Sequence, residues 1–379
     1  MVDSPFLIVG GGIAGLAASL GLARIGKSSH LFEKAATFSE VGAGLQLGPN
    51  AVRALQWLGA WEAVAPHCVS PKEIHIRDGI SGRFLQRVPL GPDFEKQFGA
   101  PYRVAHRADL QNGLLHYASQ NSAITLETNS EVTGVAIERT TLTFKSGKQL
   151  AGKAIIAADG VHSTIRKNIG HASNHSPVGH TLYRGLMPTH LIPQGVNTEV
   201  VTLWLCPGGH VVHYCVSNWQ QFNIVAGIED PAATPATAFP RACQPLADIL
   251  HMQNQWLAWP GLDSQPDSHW AQNNTVLIGD SAHATLPYLA QGAAMALEDA
   301  CVLATALQVS DDIPLAFREF SRQRFKRTTA IQNKSRQLGR IYHARNPLRL
   351  ARNLALKATP PRSFINRLAW IYNWDIKGK

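Results

Sequence analysis

The chain lacks three features typical of secreted, metal-binding or membrane-spanning proteins. It has five cysteines among 379 residues, odd in number, scattered, and without a C-x-x-C pair. We therefore expect no disulfide framework, no metal site, and free thiols in a reducing cytoplasm. The apolar runs, such as residues 6–9 and 154–158, are strand-sized and far shorter than the roughly 20 residues of a membrane helix. The N-terminus lacks the basic region, apolar stretch and cleavage site of a signal peptide.

Charged residues are also few, 16% of the chain against 45% apolar residues, so there is material for a large core and about two domains. The charge is uneven. Residues 318–379 hold 16 Lys/Arg and two acidic residues, a net charge of +14. Because the whole chain has a net charge of +9, residues 1–317 carry −5. A basic tail can bind nucleic acid or an anionic membrane surface. No nucleic-acid motif is present, and apolar residues at helical spacing predict helices packed on the nucleotide-binding domain, namely Ile341, Leu348, Leu350 and Leu354.

A glycine-rich segment at the start of the chain predicts a dinucleotide site. The buried strand at residues 6–9 runs into a G-x-G-x-x-G pattern, and a helix rich in Ala and Leu follows. Gly10 permits the tight turn, Gly12 lets backbone N–H groups approach a pyrophosphate, and Gly15 lets helix and strand pack closely. Glu33 ends the next strand, where a carboxylate can accept hydrogen bonds from ribose hydroxyls.

A second segment about 270 residues later predicts that the dinucleotide is FAD, held at both ends. Residues 276–280 form another buried strand that ends in Gly-Asp, and Asp280 can bind the second ribose or the ribityl chain. Gly292 and Ala293 begin a long helix whose N-terminal N–H groups face the same region. The field of that helix end favours a ring that accepts negative charge, as a reduced flavin does.

The order of elements predicts an α/β fold. We expect a Rossmann-like FAD-binding domain with a parallel sheet, an inserted antiparallel β-sheet that forms a substrate domain, and C-terminal helices. The expected boundaries are 1–71, 101–175 and 271–345 for the FAD-binding domain, 72–100 and 176–270 for the substrate domain, and 346–379 for a helical tail.

Three segments carry a resemblance to a known family. Residues 10–33, Asp159-Gly160-x-x-Ser163-x-x-Arg166, and Gly279-Asp280-x-x-His283 with Gln291-Gly292 resemble the fingerprints of the group A FAD-dependent aromatic hydroxylases, the para-hydroxybenzoate hydroxylase family. Residues 41–50 and 289–293 are similar to the branch that contains 3-hydroxybenzoate 6-hydroxylase, salicylate hydroxylase and 6-hydroxynicotinate 3-monooxygenase.

The resemblance implies an NAD(P)H-dependent monooxygenase. Arg107 and Lys34 would contact a non-covalently bound FAD, and Asp159 and Arg166 belong to a motif that serves both FAD and the nicotinamide nucleotide. NADH or NADPH would reduce the flavin, and O₂ would form a flavin C4a-hydroperoxide that hydroxylates a small phenolic or N-heteroaromatic acid. The chain has no second glycine-rich βαβ unit, which agrees with transient surface binding of NAD(P)H in this family.

Among sixteen histidines, His210 is the candidate for activating the substrate phenol. Strand alternation puts His210 and Tyr214 on one face and His213 on the other. The resemblance implies an active-site His with a Tyr four residues later, which matches this pair. Gln46 and Gln291 are the candidate polar residues beside the flavin and the substrate.

Two other functions stay open at the level of sequence. One is a hydroxylase or epoxidase of a larger lipid-like or polycyclic substrate, such as a quinone precursor, docked through the basic tail. The other is a flavin-binding redox sensor without turnover. The sequence also leaves open whether the chain forms a homodimer.

Overall fold

The computed structural model describes residues 4–38, 42–170, 175–253 and 255–376. Their strands are β1 (Phe6–Val9), β2 (Ser29–Phe32), β3 (Gly44–Leu47), β4 (Glu73–Asp78), β5 (Phe84–Pro89), β6 (Arg103–His106), β7 (Ile124–Glu127), β8 (Val132–Ala136), β9 (Thr141–Phe144), β10 (Gln149–Ala151), β11 (Ala154–Ala157), β12 (His175–Pro188), β13 (Val200–Cys206), β14 (Gly209–Val216), β15 (Gln221–Ile228), β16 (Leu257–Ser264), β17 (Ala271–Gln272) and β18 (Thr275–Leu277). Their α-helices are α1 (Ile13–Arg24), α2 (Pro49–Leu58), α3 (Trp61–Val64), α4 (Pro92–Phe98), α5 (Arg107–Ser119), α6 (Thr164–Asn168), α7 (Pro235–Ala238), α8 (Gln244–Met252), α9 (Asp280–His283), α10 (Gly292–Val309), α11 (Ile313–Tyr342), α12 (Leu348–Ala358), α13 (Pro361–Asn366) and α14 (Ala369–Tyr372).

The nucleotide-binding part is built on a six-stranded sheet of order β17-β18-β11-β1-β2-β7, in which only β17 is antiparallel to its neighbour. All four residues of β1 are buried, as expected for the centre of a parallel sheet covered on both faces. Helices α1 and α10 pack against each other over this core. The carboxyl ends of β1, β11 and β18 therefore lie at one edge, which is where ligands bind in open α/β sheets.

A seven-stranded sheet forms the second layer, in the order β16-β12-β15-β14-β13-β4-β5. Its pairs are antiparallel except that β13 runs parallel to β4. The predicted fold class is confirmed. The prediction of sheet alone for residues 72–100 and 176–270 misses helices α4, α7 and α8, each of which has a proline in its first turn.

The tail does not pack as expected. Three of the apolar residues that we expected to be buried on α12 are exposed, Leu348 at 69%, Leu350 at 57% and Leu354 at 71%. The helix instead turns its arginines inward, and Arg349 donates to both carboxylate oxygens of Asp78 at 2.8 Å. Helices α12 and α13 lie on β5 of the seven-stranded sheet, whereas α14 and Trp374 after it pack on the nucleotide-binding part as expected. The helical periodicity predicts α12 correctly, but most of its apolar face lies in solvent.

Among the described residues, one helix is long and apolar enough to cross a membrane by length and composition, α10. It is the central helix of the nucleotide-binding core, and 72% of its 18 residues are buried inside the protein.

Candidate active site

A cavity of about 480 Å³ opens where the carboxyl edge of the parallel sheet meets one face of the seven-stranded sheet. Most residues expected to bind the cofactor or the substrate line it, namely Gly10, Gly12, Glu33, Lys34, Gln46, Arg107, Asp159, His210, Tyr214, Asp280, Gly292 and Ala293. These residues come from separate stretches spread between residues 10 and 293. The fold therefore brings both sets of predicted side chains to one continuous space.

The glycine-rich turn after β1 leaves no room for side chains. Gly10 has a φ of +106°, and a Cβ there would lie 2.4 Å from the carbonyl oxygen of Ala158. At Gly15 a Cβ would lie 1.9 Å from the carbonyl oxygen of Gly10, so this glycine serves the packing of α1 on β1 and does not line the cavity. The backbone at Gly12 and the N-terminus of α1 thus face the cavity, as binding of a pyrophosphate requires.

Glu33 follows β2 at the far end of the cavity. Its Oε2 accepts a hydrogen bond from the N–H of Gly11 at 2.7 Å, and its Oε1 accepts one from the N–H of Ala35 at 2.9 Å. The carboxylate is thereby fixed at the cavity wall beside Lys34, with lone pairs left for a further donor. Arg107, the first residue of α5, lines the same space.

Asp159 follows β11 and has an oxygen that protein groups do not satisfy. Its Oδ2 accepts from the N–H groups of Thr164 at 2.8 Å and Ile165 at 3.2 Å. Its Oδ1 is buried without a hydrogen-bond partner among the described residues, and burial raises the pKa of this carboxyl. A buried carboxylate oxygen in this state suits a ligand hydroxyl.

The opposite end of the cavity is formed by α9 and α10. Asp280, the first residue of α9, is exposed towards the cavity, and Gly292 and Ala293 are the first residues of α10. The N–H groups of a first helical turn have no partners within the helix and favour negative charge. Carboxylates at both ends, a pyrophosphate turn between them and a helix N-terminus together fit FAD.

Besides Gly15, two predicted residues lie away from the cavity. Arg166 is buried and donates to the backbone oxygens of Ser281 at 3.0 Å and Ala282 at 2.9 Å. It therefore ties two motif segments together and contacts no ligand space. Gln291 is also buried, and its Oε1 accepts a hydrogen bond from Asn50 at 2.9 Å.

Asn50 connects Gln291 to a buried ionic cluster that the sequence did not indicate. Its amide also donates to Glu298 at 2.7 Å, and Glu298 pairs with Arg324 and Arg327, both at 2.7 Å. Arg327 in turn donates to the backbone oxygens of residues 370 and 371. The cluster joins α2, α10, α11 and the tail, so it holds the N-terminus of α10 in place.

The substrate half of the cavity is one face of β14. His210, Val212 and Tyr214 line it, whereas His213 points into the opposite core, where its Nε2 accepts a hydrogen bond from the indole N–H of Trp204 at 3.0 Å. Burial lowers the pKa of His210 well below its ordinary value, with His343 and His180 adding to the effect. The imidazole of His210 is therefore neutral at neutral pH, with a lone pair on one ring nitrogen that can accept a hydrogen bond.

Gln46 lies on β3 beside this face. Its Oε1 accepts a hydrogen bond from the hydroxyl of Tyr102 at 2.5 Å, and its side chain also hydrogen-bonds Tyr214. Burial raises the pKa of Tyr214, so its phenol stays protonated and can donate. Gln46 and Tyr214 thus present polar groups to the cavity, and Tyr102 holds Gln46 from behind.

Arg184 on β12 is a lining residue that sequence reasoning missed. In the sheet register Arg184 pairs with Val225, and Val225 pairs with Val212. All three line the cavity, together with Leu182. Two strand spacings separate Arg184 from β14, roughly 10 Å. No local motif marks this arginine, because only strand pairing brings it opposite His210 and Tyr214.

Comparisons with known proteins agree with this geometry. Residues 3–310 match the family model described as "FAD binding domain". The chain is 34% identical to a 3-hydroxybenzoate 6-hydroxylase of Polaromonas naphthalenivorans (99% of this chain, 97% of that protein) and 28% identical to a 6-hydroxynicotinate 3-monooxygenase of Bordetella bronchiseptica (86% and 89%). It superposes on a salicylate hydroxylase substrate complex with a TM-score of 0.82, at 26% identity, covering 99% and 96% of the two chains.

The predicted resemblance is thereby confirmed. The matched residues include the glycine-rich turn, Glu33, Asp159 and Asp280, which bound the space that fits FAD. The chain belongs to the FAD-dependent aromatic hydroxylases and is a flavoprotein monooxygenase.

Proposed function

We propose that the chain hydroxylates a small aromatic acid that carries a phenolic hydroxyl, or its N-heteroaromatic counterpart, with NADH or NADPH as the electron donor and O₂ as the oxygen donor. The observation that carries this proposal is the continuity of the cavity. The residues that fit FAD and the His210–Tyr214 face of β14 border one space. Bound FAD supplies the transfer of electrons from NAD(P)H to O₂.

His210 is proposed to accept the proton of the substrate hydroxyl. A phenolate ring is richer in electrons at its ortho and para carbons, which is what an electrophilic oxygen donor needs. Tyr214 and Gln46 hold the substrate oxygen by hydrogen bonds. Leu182, Val212 and Val225 flank the ring and exclude water from it.

Arg184 is proposed to bind the carboxylate of the substrate. It lies about 10 Å across the sheet from the strand of His210, and an aromatic acid with its hydroxyl meta or para to the carboxylate can reach both side chains from between them. An arginine suits this role because its guanidinium pairs with a carboxylate through two parallel hydrogen bonds.

The proposal is tested by measuring NADH and NADPH oxidation by the FAD-loaded protein with a panel of hydroxybenzoates, aminohydroxybenzoates and hydroxynicotinates, with identification of the products. Stimulated oxidation and one hydroxylated product are expected for an acid of this class. The methyl esters of the same acids are the matched controls. Equal stimulation by acid and ester would remove Arg184 from the proposal, and no stimulation by any aromatic acid would overturn the proposed function.

Arg184→Gln should raise KM for the acid about 10- to 150-fold, since a hydrogen bond to a charged group contributes about 1.5–3 kcal/mol. The effect on kcat should be small, because the carboxylate does not change charge during the reaction. The KM for the ester should not change. A larger loss in kcat than in KM would contradict an anchoring role.

The cytoplasm is the proposed location. The five cysteines are free thiols in the structure, which supports a reducing compartment.

A further inference from the structure

A row of polar side chains, joined by one hydrogen bond and one ion-pair contact, leads from the substrate cavity to the protein surface. His210 Nδ1 lies 2.9 Å from His343 Nε2, and His343 Nδ1 lies 3.3 Å from Glu229 Oε1. His210 lines the cavity, His343 is buried at 4% exposure, and the side chain of Glu229 is 40% exposed. The row therefore has one end at the substrate and the other in solvent.

Three distant parts of the chain supply these residues, and backbone hydrogen bonds fix them relative to one another. His210 is on β14, Glu229 directly follows β15, and His343 ends α11. The N–H of Gly208 donates to the carbonyl of His343 at 3.0 Å, and the N–H of Glu229 donates to the carbonyl of Gly208 at 3.0 Å. The spacing of the side chains is thus set by the main chain and not only by their own contacts.

The carboxylate at the outer end determines which ring nitrogens carry protons. Ionised Glu229 can only accept, so it favours the tautomer of His343 with its proton on Nδ1. His343 Nε2 is then an acceptor, and His210 must place its own proton on Nδ1 to donate to it. This leaves the lone pair of His210 on Nε2, the nitrogen that is free to meet a substrate hydroxyl in the cavity.

Neither histidine is suited to store a positive charge. Burial lowers the pKa of His343 to about 4, although Glu229 opposes this shift, and burial together with His343 also lowers the pKa of His210 well below its ordinary value. Both imidazoles are therefore neutral at neutral pH.

In the described part of the chain, the further imidazole beside this row is that of His180, whose ring lies 5.6 Å from that of His343. The hydroxyl of Tyr288 lies 2.8 Å from His180 Nε2, the ring of Tyr342 packs 5.8 Å from that of His210, and Arg345 lies 3.1 Å from the second oxygen of Glu229.

We propose that His343 and Glu229 form a proton relay that carries the phenolic proton of the substrate from His210 to solvent. The substrate O–H bond breaks as its proton joins His210 Nε2. The Nδ1 proton of His210 moves to His343 Nε2, and the Nδ1 proton of His343 moves to Glu229, which releases it to water. The phenolate keeps the electron pair, and both imidazoles end neutral with their protons on the opposite nitrogens, from which rotation or reverse transfer through water restores the starting tautomers.

This inference rests on the proposed function, since it needs a substrate with an acidic hydroxyl. His343 and Glu229 touch neither substrate nor cofactor, so they are positioning residues that act through His210. A purely structural His343 would hold the end of α11 in place without influencing how fast a bound phenol loses its proton.

The test measures ionisation of a bound phenol directly, without turnover. The probe is 3-hydroxy-4-nitrobenzoate, whose phenolate absorbs visible light, mixed in a stopped-flow instrument with the FAD-loaded protein at a pH where the free probe is mainly protonated. We compare the wild type with His343→Gln and Glu229→Gln, which keep hydrogen-bonding capacity but cannot pass a proton in this way. Glu199→Gln is the matched control, because Glu199 is an ion-paired surface carboxylate outside the row.

The expected result is rapid phenolate formation in the wild type and Glu199→Gln, and at least a tenfold slower rate in His343→Gln and Glu229→Gln, with probe affinity within about threefold. Imidazole added to His343→Gly should restore the rate in proportion to its concentration. Wild-type rates in both relay variants would overturn the relay while leaving His210 as the base. Should His343→Gln fail to fold, Glu229→Gln decides, because its site is at the surface. Absence of phenolate in the wild type would overturn the relay together with the proposed function.

Discussion

At the scale of single residues, His210 and His213 show how one strand gives the same side chain two different environments. They are three positions apart on β14, both are buried, and burial lowers the pKa of both, that of His213 to about 3. Only His210 borders the cavity, whereas His213 accepts a hydrogen bond from Trp204 inside the core. Whether a histidine of β14 can contact a substrate therefore depends on the face of the strand that it occupies.

His210→Ala should keep FAD and still oxidise NAD(P)H when substrate is bound, but divert the electrons to hydrogen peroxide. Loss of a general base costs about 10²- to 10⁴-fold, and here the loss falls on hydroxylation. The measurement is the ratio of hydroxylated product to NAD(P)H consumed.

His213→Ala is the control for this experiment. It should stay coupled while losing about 1–3 kcal/mol of stability, because the Trp204 N–H is left without its acceptor. Full coupling in His210→Ala, or uncoupling in His213→Ala, would contradict the assignment of the base.

Glu33→Ala should weaken FAD binding by about 10- to 150-fold, as expected for losing a charge-assisted pair of hydrogen bonds to ribose. Part of this loss comes from the turn itself, because the N–H groups of Gly11 and Ala35 also lose their acceptor. The dissociation constant is measured by titrating the FAD-free protein. Glu127→Ala, which removes a carboxylate outside the cavity, should bind FAD as the wild type does. Retention of wild-type affinity in Glu33→Ala would remove Glu33 from the ribose site.

At the scale of elements, α12 is oriented against the usual rule for a surface helix. Three of its leucines, at positions 348, 350 and 354, face outward, whereas Arg349 and Arg352 face the protein. Arg349 pairs with Asp78, while Arg352 donates to the carbonyl oxygens of Ile341 and Tyr342 that end α11. Burial alone would raise the pKa of Asp78, but hydrogen bonds from Ser81, Arg349 and Asn353 lower it to about 2. This helix is therefore held mainly by the ion pair of Arg349 and by the capping of α11 by Arg352, with Leu356 adding an apolar contact to the seven-stranded sheet.

Asp78→Ala should therefore lower the free energy of unfolding by about 3–5 kcal/mol, because it leaves the guanidinium of Arg349 buried without its counter-charge. Denaturant unfolding at a fixed FAD concentration measures the loss. Leu354→Ala on the exposed face of the same helix should change stability by no more than about 0.5 kcal/mol. Equal losses in the two variants would contradict the observed orientation of α12.

At the scale of the whole molecule, stability and catalysis share a set of buried neutral histidines. The folded protein keeps His210, His213 and His343 uncharged at pH values where an unfolded histidine, with its ordinary pKa of 6.5, becomes protonated. Between about pH 6.5 and 5 the unfolded chain therefore binds more protons than the folded protein, and the free energy of unfolding falls as the pH falls.

The expected slope is about 1.4 kcal/mol per pH unit for each such histidine well below pH 6.5. Melting temperatures of the FAD-loaded protein between pH 7.5 and 5 measure it, and His213→Gln should reduce the slope by about one histidine's share. A melting temperature that does not change over this range would contradict burial of these histidines in the neutral form.

The sequence by itself determined the features that depend on neighbours along the chain. Gly10, Gly15 and Glu33 are separated by one βαβ unit, so their spacing is enough to predict the turn and the carboxylate beyond it. The face shared by His210 and Tyr214 likewise follows from the two-residue period of a strand.

Only the tertiary structure decided which distant residues meet. Arg184 reaches the substrate cavity through the register of β12, β15 and β14, and His343 reaches His210 across 133 positions of the chain. Gln291 accepts a hydrogen bond from Asn50. Arg349 of α12 pairs with Asp78, and three leucines of the same helix lie in solvent. No local pattern along the chain reveals these partners. Periodicity along a chain predicts that an element has two faces, but the unsatisfied polar groups of the rest of the protein determine which face is buried.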